Sequence, residues 1–335
     1  MRNIKGFRSK LLAWYRRAKR DLPWRGTADP YRIWISEIML QQTRVAAVIP
    51  YYHRFLEAFP DVEALASSNE EKLLATWAGL GYYSRARNLH RAARMVVGNG
   101  GFPGEFKALR ELPGIGDYTA AAIASIAFGE PAAVLDGNVM RVLCRLTAEA
   151  GDIRAGAVKN RMRELAGALL DPRHPGDFNQ ALMELGATVC LPRNPLCPVC
   201  PCPEFCLARQ QGRQHELPVK PDQIPVLREK KVLFVVRRGG RVLLWRRPGD
   251  SFRLAGFWEL PEPDQLPGAT RGAPAGSFRH SIVNHLYDVQ VVPAAISRAP
   301  RGFQWVADAR LQEIPLSAMA AKALRLEISL RKTPA

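Results

Sequence analysis

Crowded thiols are the first feature of this chain that could do chemistry. The stretch "CLPRNPLCPVCPCPEFC" (190–206) holds five of the six cysteines, and Cys144 lies far upstream. Four of the five follow the spacing Cys190-x6-Cys197-x2-Cys200-x5-Cys206, and Cys202 falls outside it as a spare thiol. Four thiolates can enclose a zinc ion or an iron–sulfur cluster. Structural zinc usually takes two two-cysteine knuckles. Only one C-x2-C is present here, between unequal gaps, and that favours a cubane cluster. No export signal is evident at the N-terminus, which argues for a metal rather than disulfides.

Two carboxyl groups form the second set. Glu37, in "WISEIMLQQTRV" (34–45), has Ile33, Trp34, Ile35, Ile38, Met39 and Leu40 as neighbours. A carboxyl group in such company is expected to be desolvated, with a raised pKa that makes it a proton donor near neutrality. Asp136 opens "VLDGNVMRVLCR", where an aspartate before a helix reads as an N-cap. A helix N-terminus favours its anion, and a charged carboxylate can steady a positive sugar. Twenty residues before Asp136 ends the hairpin of "LPGIGDYTA" (112–120), with Gly114 and Gly116 permitting tight turns and the next helix presenting free N–H groups. Such donors bind a DNA phosphate without reading sequence.

The cysteine spacing and this hairpin resemble those of the endonuclease III superfamily of DNA glycosylases. Within it, "WISEIMLQQTRV", "DLPWR" (21–25), "WAGLGYYSRARNLH" (77–90) and "FNQALMELGATVC" (178–190) resemble the MutY-type adenine glycosylases. The resemblance covers nearly all of residues 10–206. It implies a [4Fe–4S] cluster on Cys190, Cys197, Cys200 and Cys206, and removal of adenine mispaired with 8-oxoguanine or guanine in duplex DNA. It makes Glu37 the acid that protonates adenine, Asp136 the stabiliser of the sugar cation, and Asn138 and Tyr118 their supports. Arg20, Trp24, Leu40 and Glu184 match positions lining the adenine pocket. Gln42 and Tyr82 match wedge residues around 8-oxoguanine, and Arg25 a contact position. Lyases of this superfamily carry a lysine where Tyr118 stands, and a phenol cannot form a Schiff base. Base removal without strand cleavage is therefore expected.

These residues need a scaffold. From Lys5 to about Leu207 apolar residues recur at three-to-four spacing, which predicts an all-α helix-hairpin-helix domain over 1–209 that includes the cysteine loop. Leu11, Leu12, Trp14 and Tyr15 fit the buried face of a first helix. Residues 210–229 are polar and Pro-punctuated and read as a linker. Over 230–335 the texture turns to short β-rich runs, with a hairpin at Gly239-Gly240 and a helix in "PLSAMAAKALRLEISLRK". "VLLWRRPGDSFRLAGFWELPEP" (242–263) resembles the early strands of a Nudix fold. The glutamates of REx2EE that would bind Mg²⁺ do not follow. An α+β, non-catalytic, Nudix-like domain that reads the lesion is expected. MutY-type proteins carry a Phe-Ser-His turn there, and "SFRHS" offers Phe278 and His280 with Arg279 in place of the serine.

The net charge is +17, and both halves are basic. That favours a polyanionic partner. Arg193 in the cysteine loop is a further candidate for phosphate contact. The longest apolar run, 118–129, is too short to span a bilayer. A monomer in the cytoplasm, on the nucleoid if the source is bacterial, is expected. Three other readings carry weaker support. Tyr118 counts against a lyase acting on oxidised pyrimidines, Glu37 with Asp136 against a non-enzymatic DNA-binding protein, and the missing glutamates against a nucleotide hydrolase.

Overall fold

The computed structural model describes residues 3–220, 225–251, 254–282 and 284–331. The chain divides into two compact units, one of residues 1–66 and 91–222, the other of residues 67–90 and 223–335.

The first unit is helical. It contains α1 (Ile4–Ala18), α2 (Pro30–Leu40), α3 (Val45–Ala58) and α4 (Val62–Ser67), the last of which ends at the unit boundary. The second unit takes α5 (Glu70–Trp77) and the start of α6 (Ser84–Gly98). The first unit continues with α7 (Phe106–Arg110), α8 (Asp117–Ala127), α9 (Gly137–Thr147), α10 (Gly156–Leu169), α11 (Pro175–Thr188) and α12 (Leu207–Gln210). Its core shows the helical period directly: Phe7, Leu11 and Tyr15 of α1 meet Phe178, Leu182 and Leu185 of α11, with Val139, Val142, Leu143 and Leu146 of α9 beside them. Leu12 is buried with this set, whereas Trp14 only packs against its edge. Helix α2 is buried almost all round, from Tyr31 to Met39 except Arg32. It lies against α8, whose buried Ala120–Ala124 run brings the two backbones close. A central helix buried on nearly every side is what carries Glu37 into the interior.

The second unit is built on a sheet of β1 (Leu227–Arg238), β2 (Arg241–Arg246), β3 (Trp258–Glu259), β4 (Thr270–Arg271), β5 (Gly276–Ile282), β6 (His285–Ala295) and β7 (Phe303–Ala307), with α13 (Ala318–Arg331) against it. Gly239 and Gly240 both sit at positive φ, 54° and 68°, and close the β1–β2 hairpin. β1 and β6 pair in parallel from Leu227↔His285 to Val236↔Ala294. One face packs Leu233, Val235, Val242, Leu244, Val289 and Val291 under α13. Segment 67–90 belongs to this unit: Tyr83 and Phe257 lie with ring centroids 4.0 Å apart, and Arg87 donates to the carbonyl of Ala255.

The expected linker is only partly a linker. Leu217 is buried and its carbonyl accepts from Arg145 Nε at 2.9 Å; the carbonyl of Val219 accepts from Ile153 N at 3.2 Å. Residues to 219 are thus held on the first unit through their carbonyls, and β1 begins at Leu227, inside the expected linker. Among the described residues no helix is long and apolar enough to cross a membrane.

Candidate active site

Three helix ends position the reactive groups. The last turn of α2 carries Glu37, the first turn of α8 carries Tyr118, and Asp136 caps α9. Each cap has a local cause. Asp29 accepts from Tyr31 N at 2.9 Å and starts α2 ahead of Pro30. Asp136 accepts from Val139 N at 2.7 Å and from Asn138 Nδ2 at 3.0 Å. At the hairpin, Gly114 adopts φ +80°, a conformation that favours glycine. Gly116 does not: it caps α8 at φ −92°, and a Cβ there would meet nothing within 4 Å. The expectation that both glycines serve the turn is corrected, since Gly116 leaves the helix entrance open instead.

Tyr118 Oη lies 2.5 Å from Glu37 Oε2 and 3.1 Å from Met183 Sδ. The phenol has one hydrogen to give. When Glu37 is charged, that hydrogen goes to the carboxylate. When Glu37 is protonated, the acid donates to Tyr118 Oη and the phenol turns its hydrogen to the sulfur. Both protonation states are therefore satisfied. Burial pushes the Glu37 pKa from 4.5 up to about 7; the Tyr118 bond and Arg25 pull it back, and the charge of Asp136 adds to the rise. Burial also holds the Tyr118 pKa well above its usual range, so the phenol stays a donor.

Asp136 differs from the expectation of a cap that simply favours the anion. Burial raises its pKa as well, and the bonds from Val139 and Asn138 and the charge of Arg141 only oppose that rise. The two carboxyls are distinguished by their partners. Each has a guanidinium nearby, but Glu37 receives one hydrogen bond, from the phenol, whereas Asp136 receives two, from a backbone amide and an amide side chain. Of the pair, Glu37 is set up to carry a proton and Asp136 to carry charge.

The sequence reading missed the residues behind this pair. Arg141 donates to Asn138 Oδ1 at 2.8 Å, to the Gly186 carbonyl at 2.7 Å and to the Cys190 carbonyl at 2.7 Å. It links the support of Asp136 to the first cysteine of the loop. Arg145, one turn on and almost wholly buried, donates to the Leu191 carbonyl at 2.7 Å and lies 3.3 Å from Cys190 Sγ. Two arginines four apart on the buried face of α9 were a legible signal. Met183 carried none.

The residues matched to a base pocket form a second cluster. Glu184, fully buried, binds Arg20 Nε at 2.7 Å, Arg20 Nη2 at 2.9 Å and Arg25 Nη2 at 2.6 Å. Burial would raise its pKa, but the two guanidiniums outweigh it and hold the carboxylate below its usual range. Arg25 Nη1 is buried without a hydrogen-bond partner in the structure, a donor left over beside Glu37. Trp24 is buried edge-on to Tyr52, 5.3 Å between centroids. Leu40 is half-buried at the end of α2, and Gln42 follows it, exposed, at φ +57°. Tyr82 is in the second unit, exposed, at φ +49°.

Cys190, Cys197, Cys200 and Cys206 are free, half-buried thiols, and Cys144 and Cys202 are buried. Among the described residues no three His, Cys, Asp or Glu side chains converge as they would on a single metal ion. The thiols nevertheless act on one another. Cys200 is pushed up to about 11, by burial first and then by Cys190, Cys206 and Cys197. Arg193 is exposed.

In the second unit the expected Phe-Ser-His turn is absent from its expected place. Residues Gly276 to Ile282 pair with β6 without interruption, so Phe278, Arg279 and His280 lie within a strand; Val283 is outside the described residues. Strand alternation sends Phe278 and His280 toward α13, where Lys322 Nζ lies 5.9 Å from the Phe278 ring centre and 3.4 Å from His280 Nδ1. Arg279 points the other way and pairs with Asp288 at 3.2 Å. Burial and Lys322 lower the His280 pKa.

A model of the HhH-GPD superfamily of base excision DNA repair proteins matches residues 35–167. The chain is 39% identical over 385 aligned residues to adenine DNA glycosylase from Mus musculus, covering 91% of this chain and 74% of that protein. It is 41% identical over 314 residues to the Homo sapiens protein of that name, covering 77% of this chain and 57% of the relative. The chain thus spans between about half and three quarters of the mammalian proteins it matches. Among solved structures, a thermostable thymine-DNA glycosylase aligns with TM-score 0.56 at 32% identity, over 63% of this chain and 98% of that one. An endonuclease III–DNA complex aligns with TM-score 0.53 at 23% identity, over 63% and 97%, and shares the helical fold. On this evidence the chain belongs to the adenine DNA glycosylase family, within the HhH-GPD superfamily.

Proposed function

We infer that this chain removes adenine from duplex DNA, adenine opposite 8-oxoguanine or guanine, by hydrolysing the N-glycosidic bond without cutting the backbone. The observation that carries the reading is the buried Glu37, with a pKa near 7 and hydrogen-bonded to Tyr118, in one site with Asp136. Adenine is a poor leaving group as an anion. Glu37 in its acid form gives its proton to N7 of the extruded base, and the C1′–N9 bond breaks with the electron pair passing to the purine. The sugar becomes an oxocarbenium ion, and the Asp136 carboxylate faces that positive charge. Water then adds to C1′, and its proton returns to the Glu37 carboxylate. Asn138 keeps Asp136 oriented, and Tyr118 stabilises both states of Glu37. With a phenol rather than an amine at 118, no imine to the sugar forms.

The target must leave the helix stack to reach a buried acid. Arg20, Trp24, Arg25, Leu40 and Glu184 make its pocket, and the spare Nη1 donor of Arg25 suits an acceptor on the base. Gln42 fills the gap it leaves, and Gly114 and Gly116 seat a phosphate at α8. The second unit is a Nudix-like reader of the opposite base. Its contact falls to β5, through Phe278 and His280. Cys190, Cys197, Cys200 and Cys206 would hold a [4Fe–4S] cluster, four thiolates being the donor set such a cluster takes. When bound it supplies positive charge that relieves the mutual repulsion of the thiols and orders the loop. The chain acts as a monomer on duplex DNA, in the cytoplasm and on the nucleoid if its source is bacterial.

The test incubates the protein with duplexes holding adenine opposite 8-oxoguanine. Strand breakage at the adenine only after alkali supports the reading. Spontaneous nicking at an oxidised pyrimidine, with adenine untouched, overturns it.

A further inference from the structure

A cavity of about 700 Å³ opens beside Asp136, lined by Tyr118 but not by Glu37. Tyr118, Asp136 and Met140 form one side of its lining; Arg110, Arg154, Lys159 and Arg163 are cations in the same lining, with Asp117 the second carboxylate. The charges do not all remain available. Asp117 is bound by Arg110 Nε at 2.7 Å and by Arg163 Nη2 at 3.5 Å, and Arg163 also donates to Asn160 Oδ1 at 2.9 Å. Among the described residues the Arg154 guanidinium has one ion pair, to Asp152 at 3.7 Å, of little energetic weight. Lys159 makes no ion pair among the described residues, and both side chains are exposed at the cavity.

We propose that Arg154 and Lys159 clamp phosphates of the DNA strand that carries the excised adenine. The proposal rests on the glycosylase reading, because it needs a nucleotide whose C1′ faces Asp136. The sugar of such a nucleotide joins two phosphates, and the cavity that Asp136 lines is the space they enter. An aspartate that must remain charged there repels both phosphates unless cations answer them. Arg110 and Arg163 are both turned toward Asp117; Arg154 and Lys159 are the cations left to meet the strand. A solvated basic face would also be exposed, but it would not share one cavity with the carboxylate that steadies the sugar.

Duplex affinity is measured against salt in the Glu37→Gln background, so that binding is read without turnover. Arg154→Ala and Lys159→Ala should each reduce the slope of log affinity against log salt by about 1, and the double variant by about 2. Lys159→Arg should restore its share. A scan with uncharged methylphosphonate at single positions near the adenine should then find, for each single variant, a site where it binds like the parent. Unchanged salt slopes overturn the proposal. So does a gap between parent and variant that persists at every methylphosphonate position, which would mean bulk charge rather than a contact. Adenine release by the unsubstituted chain is assayed in parallel. Loss of that activity with the slopes as expected defeats the functional reading and not the clamp; the reverse pattern defeats only the clamp.

Discussion

Glu37 and Asp136 are both buried carboxyls, and what separates them is the number of donors each receives. That difference has a cost in stability. The folded pKa of Glu37, about 7, lies above its ordinary value of 4.5, so the folded chain holds the proton more tightly than the unfolded chain. The contribution is fully present below pH 4.5 and is lost as pH rises through 7. The shift corresponds to about 3 kcal/mol at most. Glu37→Gln, which cannot ionise, should therefore melt higher than the parent at pH 8 and show little gain at pH 4; equal melting differences at both would refute the buried, neutral acid. Arg141 is the other residue on which much hangs. Arg141→Ala strands the acceptors on Asn138, Gly186 and Cys190, and should cost roughly 3 kcal/mol. Second-sphere losses of this kind slow chemistry by about 10–100-fold. Arg141→Lys should not rescue the rate, since an ammonium lacks the planar fork that serves three acceptors. Thermal melts beside single-turnover rates separate the two effects.

At the scale of elements, helix packing sets the tolerances of the site. A Cβ on Gly186 of α11 would lie 2.7 Å from Asn138 Cβ and 3.0 Å from its carbonyl oxygen. Gly186→Ala should thus destabilise by about 1–3 kcal/mol and slow adenine release by displacing Asn138. The hairpin glycines should part company: Gly114→Ala, forced to φ +80°, should cost roughly 1–2 kcal/mol of stability. Gly116→Ala should leave the melting point unchanged while weakening duplex binding at the crowded helix entrance. The helices were legible because each buries a stripe at three-to-four spacing, and the β1–β2 hairpin because two glycines at positive φ are what such a turn needs. Glu37 and Tyr118 could be named from their motifs, but Met183 could not, since it reaches Tyr118 from a helix 65 residues away. The misplaced recognition turn has a similar cause. Phe278 and His280 look like turn residues until the ladder with β6 fixes their alternation. The parallel pairing of β1 with β6 joins residues almost sixty positions apart, and nothing local announces it.

The whole molecule is basic, and its second unit is assembled from two separated segments. Tyr83 and Arg87, within the helical part of the chain, have their partners at Phe257 and Ala255. A chain cut after residue 222 should consequently melt well below the full chain, not merely lose a module; calorimetry that showed an unchanged helical transition would contradict that. Truncation is thus a poor way to ask what the second unit does, and substitutions at Phe278 and His280 on β5 are the better one. The central claim concerns a neutral acid acting on adenine within the intact chain, and it is tested most directly by single-turnover release from an adenine:8-oxoguanine duplex between pH 5 and 9. The rate of the parent should fall as pH rises through about 7, where Glu37 loses its proton, and Glu37→Gln should bind the duplex without releasing base. Near-parental release by Glu37→Gln, or a parental rate that climbs steadily to pH 9, would contradict it.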